Sequence, residues 1–124
     1  AVAGVVRDGE GVLVAQRPPD GQWGGLWEFP NTHFAPKVPA EAALEAYLAD
    51  AFGLEAEAGD ELAAFTYGVM NRRVSLTVLG CIAGGAGAVE RDHAEVRWVA
   101  PQQLADLAMP SPHRSIAELL APSD

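Results

Sequence analysis

One helical segment, placed between two groups of strand-like runs, limits what this chain can fold into. The run PAEAALEAYLADAF at 39–52 repeats apolar residues every four positions, at Leu44, Leu48 and Phe52. The proline that opens the run suits the first turn of a helix, and Gly53 suits its end. The sequence therefore predicts one amphipathic helix over residues 39–52.

The segments on either side of this helix have the composition of strands and turns. Val74, Leu76 and Val78 alternate with polar residues, which is typical of a half-buried strand. By such patterns, strands are predicted at 1–6, 12–17, 26–30, 61–67, 72–83 and 94–100, a turn or edge strand at 54–62, a turn at 84–88, and short helices at 101–110 and 112–121. This order predicts an α+β domain with a mixed sheet.

Length and composition favour a single domain over the whole chain, residues 1–124. The chain starts without Met and already inside a strand-like run, so we expect a fragment of a longer protein. No apolar run approaches the roughly 18 residues that a membrane helix needs. The one cysteine, Cys81, is interpreted as a core residue and fits a reducing compartment. We expect a cytoplasmic bacterial monomer without membrane contact.

The charge is strongly acidic, with 8 basic and 17 acidic residues and a formal net charge of −9. Phosphate contacts need clustered Lys and Arg, so this balance argues against a nucleic-acid binder that acts alone. The only adjacent basic pair is Arg72-Arg73. If the domain meets DNA, another part of the protein must supply most of the electrostatic attraction.

Side chains that could carry chemistry are few. His33 and His93 have no cysteine or second histidine at a metal-ligand spacing, so no zinc site is predicted. The serines lack a nucleophile motif, and no catalytic residue is predicted. His113 with Arg114 could contact a phosphate or cap a helix. Among the aromatic residues, Trp27 and Phe29 are interpreted as core, and Trp23 as an exposed contact.

Three segments carry a family resemblance: VLVAQRPPDGQWGGLWEFPN, NRRVSLTV and RWVAPQQLADLAMPSPHR. They resemble Nudix-type domains, and among these most closely the C-terminal domain of the MutY adenine DNA glycosylases, which act opposite 8-oxoguanine. The likeness extends from Val2 to about Leu120. It implies a Nudix-like α+β fold, in which a mixed β-sheet is sandwiched between helices.

The catalytic signature of Nudix hydrolases is degenerate here. That signature places glutamates on one helix face, where they collect Mg²⁺ or Mn²⁺ through carboxylate oxygens. With the signature anchored on Gly53-Leu54, only Asp50 supplies a carboxylate, and Glu41 and Glu45 do not share its face. The positions of the signature's other glycine, arginine and glutamates hold Thr32, Val38, Ala46, Tyr47 and Ala51. We therefore expect no metal site and no metal-dependent hydrolysis on this helix.

The MutY resemblance implies a non-catalytic domain that recognises 8-oxoguanine in DNA during base excision repair. The family's Phe-Ser-His or Phe-Thr-His loop aligns with Val69-Met70-Asn71, although Phe65-Thr66-Tyr67 is closer in letters. Since neighbours on a strand point to opposite faces, one of the two adjacent arginines is expected to reach DNA. The candidate DNA and 8-oxoguanine contacts are Trp23, Thr66, Tyr67, Met70, Asn71, Arg72 and Arg73.

The same resemblance implies the partners. These are duplex DNA containing 8-oxoguanine and an N-terminal catalytic domain, which would hold an iron–sulfur cluster, whereas no cofactor is expected in this domain. Two alternatives remain open. One is a divergent Nudix hydrolase that acts on a nucleoside diphosphate derivative, and the other is a pseudo-enzyme that serves protein–protein contact.

Overall fold

A computed structural model describes residues 1–9, 11–21, 23–84 and 95–120, with Val69 described by its backbone alone. The strands and helices alternate much as the residue patterns predict. They are β1 Val2–Asp8, β2 Gly11–Gln16, β3 Trp27–Glu28, β4 Asn31–Thr32, α1 Ala40–Phe52, β5 Ala56–Val69, β6 Arg72–Ala83, β7 Glu95–Val99, a 3₁₀ helix Pro101–Asp106, and α2 Ser111–Leu120.

The strands form one mixed sheet. Its main order is β3-β2-β1-β6-β5, with β4 paired to β1 and β7 paired to β2. β1 and β6 run parallel, from Val2 opposite Thr77 to Arg7 opposite Ile82, and the other pairings are antiparallel. The predicted α+β class with a mixed sheet is confirmed.

Each face of the sheet buries its own apolar core. Alternate residues of the central strands point to opposite faces, so Val5 and Val78 belong to one core and Val6 and Leu79 to the other. The first core packs against the 3₁₀ helix and α2, through Leu104, Ile116 and Ala117. The second core packs against α1, through Leu44, Leu48, Ala51 and Phe52. The sheet is therefore sandwiched between helices, as expected.

Helix α1 follows the sequence prediction closely. It begins at Ala40, directly after Pro39, and ends at Phe52. Gly53 then takes a left-handed conformation with φ 62°, which a residue without Cβ adopts readily, and its N–H donates to the Ala49 carbonyl. The core assignments of Trp27, Phe29 and Cys81 are also confirmed, since all three are buried.

The edge-strand alternative for 54–62 is confirmed from Ala56 onward, and this segment continues into the predicted strand 61–67 as one strand, β5. Register shifts between Ala58 and Ala63 break the alternation within it. The first C-terminal helix is a 3₁₀ helix that ends at Asp106. His93 and the predicted turn at 85–88 lie outside the described residues. Within the described ranges, no helix has the length and apolar character that crossing a bilayer requires.

Candidate functional site

The loop between β2 and β3 is tightly folded and fixes Trp23. A Cβ on Gly24 would lie 2.3 Å from the carbonyl oxygen of Pro19, so only glycine fits there. Gly25 has φ 79° and Trp23 itself has φ 56°. The glycine and proline residues that make this segment irregular thus position an aromatic side chain.

The hairpin of β5 and β6 ends close to the same loop. Its turn consists of Met70 and Asn71, between the paired residues Val69 and Arg72. Met70 has φ 57°, and 95% of its surface is exposed. The turn therefore projects its two side chains away from the sheet.

A cavity of about 630 Å³ lies between this hairpin, the β2–β3 loop and β4. We call it the arginine basin. It is lined by Ala1, Arg17, Trp23, Asn31, His33, Tyr67, Arg72, Arg73, Val74 and Ser75. Both Arg72 and Arg73 line it. The alternation of strand faces therefore does not separate these two side chains, contrary to the sequence prediction. Both are long and exposed, and they begin at the first residues of β6, beside the turn.

A second cavity, of about 370 Å³, adjoins the basin and shares Trp23 and Tyr67 with it. We call it the aromatic slot. Its lining consists of Trp23, Phe65, Thr66, Tyr67, Gly68, Pro110, Ser111, Pro112 and Ser115. Among the described residues, no charged side chain lines the slot, whereas three arginines line the basin. Trp23 and Tyr67 thus stand between a cationic compartment and an aromatic one.

An ion pair between a half-buried arginine and a buried carboxylate supports the basin. Arg17 Nη1 donates to Glu28 Oε1 at 2.7 Å, and Glu28 is only 3% exposed. The carboxylate also acts on Tyr67, whose pKa is raised by burial and, less strongly, by the negative charge of Glu28. Tyr67 lines both cavities as a neutral phenol, which has a hydroxyl hydrogen to donate.

A buried histidine fixes the slot to the sheet. The Phe29 N–H donates to Nδ1 of His113 at 3.1 Å, and the two rings stack with centroids 6.1 Å apart. Burial lowers the pKa of His113 to about 4, against a smaller opposing effect of Glu28. His113 is thus a neutral acceptor inside the fold, and both of its predicted roles, phosphate contact and helix capping, are wrong.

Arg114 has a structural role, and its contact with a phosphate stays a prediction. Its Nη1 donates to the Leu104 carbonyl at 2.9 Å, and its Nη2 donates to the Leu107 carbonyl. These carbonyls lie in and just after the 3₁₀ helix. Arg114 therefore ties the start of α2 to the preceding segment.

The structure brings together most of the residues that the sequence singles out. Trp23, Tyr67, Arg72 and Arg73 line the basin, and Thr66 lines the slot. Met70 and Asn71, by contrast, line neither cavity. Contact of any of the seven with a ligand or with DNA stays a prediction.

Sequence reasoning missed several lining residues: Arg17, Asn31, His33, Ser75, Ser111 and Ser115. Arg17 and Asn31 flank the irregular segment PPDGQWGGLWEFP, and a polar residue at each end of such a segment was an available signal. The serines carry no comparable signal, because only the folded chain places α2 beside β5.

A family model described as a NUDIX domain matches residues 1–119. The chain belongs to the Nudix family. Solved structures support the same fold: the MutT protein from Methanosarcina mazei Go1 superposes with a TM-score of 0.79 at 16% identity, over 96% of this chain and 89% of that one.

Two curated proteins are similar to this chain over most of its length. The CTP pyrophosphohydrolase of Escherichia coli (strain K12) is 29% identical over 103 residues, covering 82% of this chain and 76% of that protein. The protein named "Putative 8-oxo-dGTP diphosphatase 2" of Mycobacterium tuberculosis (strain ATCC 25618 / H37Rv) is 32% identical over 126 residues, covering 95% of this chain and 85% of that protein.

The carboxylates of α1 do not fit a Nudix metal site. Glu45 Oε2 accepts a hydrogen bond from the Ala58 N–H at 2.8 Å, so this carboxylate holds the start of β5. Glu41 and Asp50 are both exposed. Within the part of the chain that the structure describes, no three His, Cys, Asp or Glu side chains gather where they could hold a metal ion. We therefore derive no catalytic step from a metal bound to this helix.

Proposed function

We propose that this Nudix domain binds a nucleoside phosphate, with the phosphate in the arginine basin and the base in the aromatic slot. The observation that carries this proposal is that a cavity lined by three arginines and an aromatic cavity share Trp23 and Tyr67 as walls. Ligand sites commonly combine apolar and aromatic walls with a few polar groups that fix orientation. A nucleotide has the same division between a planar base and an anionic phosphate.

The basin offers donors for phosphate oxygens. Arg72 and Arg73 are exposed, and neither forms an ion pair within the described residues. A guanidinium donates to phosphate in a planar, bidentate geometry, and such charge-assisted bonds are the strong ones. The slot offers Thr66, Ser111 and Ser115 hydroxyls, which can donate to and accept from the edge of a base.

The relatives' names support a free nucleotide as the ligand. One relative is named for CTP and the other for 8-oxo-dGTP, and the two names describe a pyrophosphohydrolase and a diphosphatase. This supports the hydrolase alternative, with a nucleoside diphosphate derivative as substrate, better than it supports a glycosylase domain. Because α1 lacks the acidic set, turnover would need an activating group elsewhere in the protein.

Turnover and binding should be measured together. The protein is incubated with CTP, dGTP and 8-oxo-dGTP, with Mg²⁺ or Mn²⁺, while phosphate release and affinity are recorded. The double variant Arg72→Ala/Arg73→Ala, purified in parallel, tests the basin. Arg7→Ala is the matched control, because Arg7 is an exposed arginine outside the basin. Turnover in wild type that the double variant loses establishes a hydrolase. Affinity without turnover indicates recognition only. The absence of both affinity and turnover would contradict the proposal.

A second candidate follows from the MutY resemblance: an 8-oxoguanine recognition domain of an A/G-specific adenine glycosylase. The degenerate signature on α1 favours it, and so does the PSPHR segment, whose Ser111 and Pro112 form a wall of the slot. Its net charge of −9 opposes binding to DNA by this domain alone. Tethering to a basic catalytic domain would overcome that repulsion, since a linker provides an effective concentration on the order of mM.

The second candidate is tested by competition between 8-oxoguanine·A and G·A duplexes at fixed salt, using the chain joined to its catalytic domain. A preference that Arg72→Ala and Arg73→Ala leave unchanged, while overall affinity falls, assigns the arginines to phosphates. Equal binding of both duplexes before any substitution would remove this candidate and leave the free-nucleotide reading.

A further inference from the structure

Trp23 has an unfavourable backbone for its residue type. Its φ of 56° lies in the left-handed region, which is uncommon and energetically unfavourable for bulky residues. Gly24 and Gly25 follow it and could have occupied the strained position at less cost. Residues held in such conformations cluster at ligand sites, where the surrounding structure maintains them.

The Trp23 side chain occupies the border of the two cavities. It is half-buried and lines both the basin and the slot. Trp27 differs, because it is buried and the Arg97 guanidinium lies 4.8 Å from its ring centroid. Within the described residues, the Trp23 ring has no aromatic or cationic partner, and its indole nitrogen donates no hydrogen bond.

We propose that Trp23 is the stacking platform for the base of the bound nucleotide. This inference rests on the proposed nucleoside-phosphate function and adds the residue that recognises the base ring. The ring lies where the cationic and uncharged compartments meet, so a base stacked on it would enter the slot while its phosphate remains near Arg72 and Arg73. Every base has a π-face, so the platform contributes affinity for nucleotides over sugar phosphates without choosing among bases.

The test compares ligands that differ in the base. Affinities for 8-oxo-dGMP, dCMP and 2-deoxyribose 5-phosphate are measured by calorimetry for wild type, Trp23→Ala and Trp23→Phe. Loss of the platform should weaken both nucleotides about tenfold and leave 2-deoxyribose 5-phosphate unchanged. Trp23→Phe retains a stacking ring and should stay within about threefold of wild type. Nucleotide binding should also quench tryptophan fluorescence in wild type and not in Trp23→Phe, although Trp27 and Trp98 remain.

Trp23→Gly separates the ring from the backbone, because glycine adopts a φ of 56° without strain. It should bind nucleotides as weakly as Trp23→Ala while keeping the affinity for 2-deoxyribose 5-phosphate. An 8-oxoguanine·A duplex is assayed alongside the mononucleotides. The comparison shows whether the base that stacks on Trp23 belongs to DNA or to a free nucleotide. The platform is supported if Trp23→Ala weakens either ligand by this factor.

Three results would overturn the platform. Unchanged affinity of Trp23→Ala for both the mononucleotides and the duplex refutes it and leaves the proposed function standing. Equal loss of nucleotide and sugar-phosphate affinity, with a lower Tm, assigns Trp23 a structural role in its place. Absence of nucleotide and duplex binding in wild type refutes the proposed function, and the platform with it.

Discussion

Helix α1 and the walls of the arginine basin are built on different principles. α1 is held by apolar side chains, Leu44, Leu48 and Phe52, which are completely buried against the sheet. The basin and slot walls depend on polar groups taken out of water. Among the described residues, the buried polar side chains are Glu28 and His113, and both lie on that side of the molecule.

The difference shows where chemistry could be lost without loss of the fold. Tyr47 and Ala51 stand at two of the signature's acid positions on α1, and the helix still forms because its apolar side chains hold it to the sheet. Buried charges are costly unless they are paired, and an unpaired one would destabilise the fold by several kcal/mol. The presence of a paired Glu28 beneath Arg17 is therefore better evidence of a functional surface than the acidic face of α1.

The largest effect is expected from breaking this ion pair. Arg17→Met removes the guanidinium that donates at 2.7 Å to the 3%-exposed Glu28 carboxylate. We expect the free energy of unfolding at pH 7 to fall by about 3 kcal/mol. Urea unfolding measures it, with Arg7→Met as the matched exposed control. A change below about 1 kcal/mol would show that the basin is no more dependent on buried polar groups than α1.

The second effect is a loss of stability in acid. The folded pKa of His113, about 4, lies below its unfolded value of 6.5, so the unfolded chain binds the proton more readily. The stability that the neutral His113 contributes is present above pH 6.5 and is lost as the pH falls toward 4. Between pH 7 and pH 5 the wild type should lose about 2 kcal/mol more than His113→Gln, in which an amide oxygen can still accept from the Phe29 N–H. Parallel pH dependences for the two proteins would contradict the buried, neutral histidine.

The same contrast explains how far residue patterns could predict the structure. Helix α1 was predictable to within a residue because its signals are local: a four-residue apolar repeat, a preceding Pro39 and a following Gly53. The mixed sheet was predictable from the alternation of apolar and polar residues.

The cavities were less predictable, because they form between segments distant along the chain. His113 looked like a phosphate contact, since nothing local reveals that it accepts a hydrogen bond from Phe29, 84 positions away. Arg72 and Arg73 were separated by the alternation rule, but beside a turn both side chains can reach one cavity. The glycine-rich segment, in contrast, correctly indicated that Trp23 is not a core residue.

A third, smaller effect concerns Glu45 of α1. Glu45→Ala removes the acceptor of the Ala58 N–H and should lower the free energy of unfolding by about 1 kcal/mol. Glu41→Ala, an exposed carboxylate of the same helix, should change it by less than about 0.5 kcal/mol.

Calorimetric titration with Mn²⁺ should give near-background heats for wild type and for both of these α1 variants. Binding in wild type that disappears in Glu45→Ala or Asp50→Ala would show that α1 keeps a metal function, and the comparison with the basin would fail.

The smallest effect on stability is expected at the turn of the β5–β6 hairpin. Met70 is 95% exposed and lines neither cavity, so Met70→Ala should change the free energy of unfolding by less than about 0.5 kcal/mol. Affinity for free nucleotides should also be unchanged.

The same turn separates the two candidate functions, because a turn that reads DNA would lose discrimination between 8-oxoguanine and guanine when its exposed side chain is removed. Under the DNA candidate, Met70→Ala or Asn71→Ala reduces the preference for 8-oxoguanine·A over G·A duplexes about tenfold, since a good base contact contributes ~1–3 kcal/mol. A weaker affinity of Met70→Ala for mononucleotides would instead mean that the site extends beyond the basin and the slot to the tip of the hairpin.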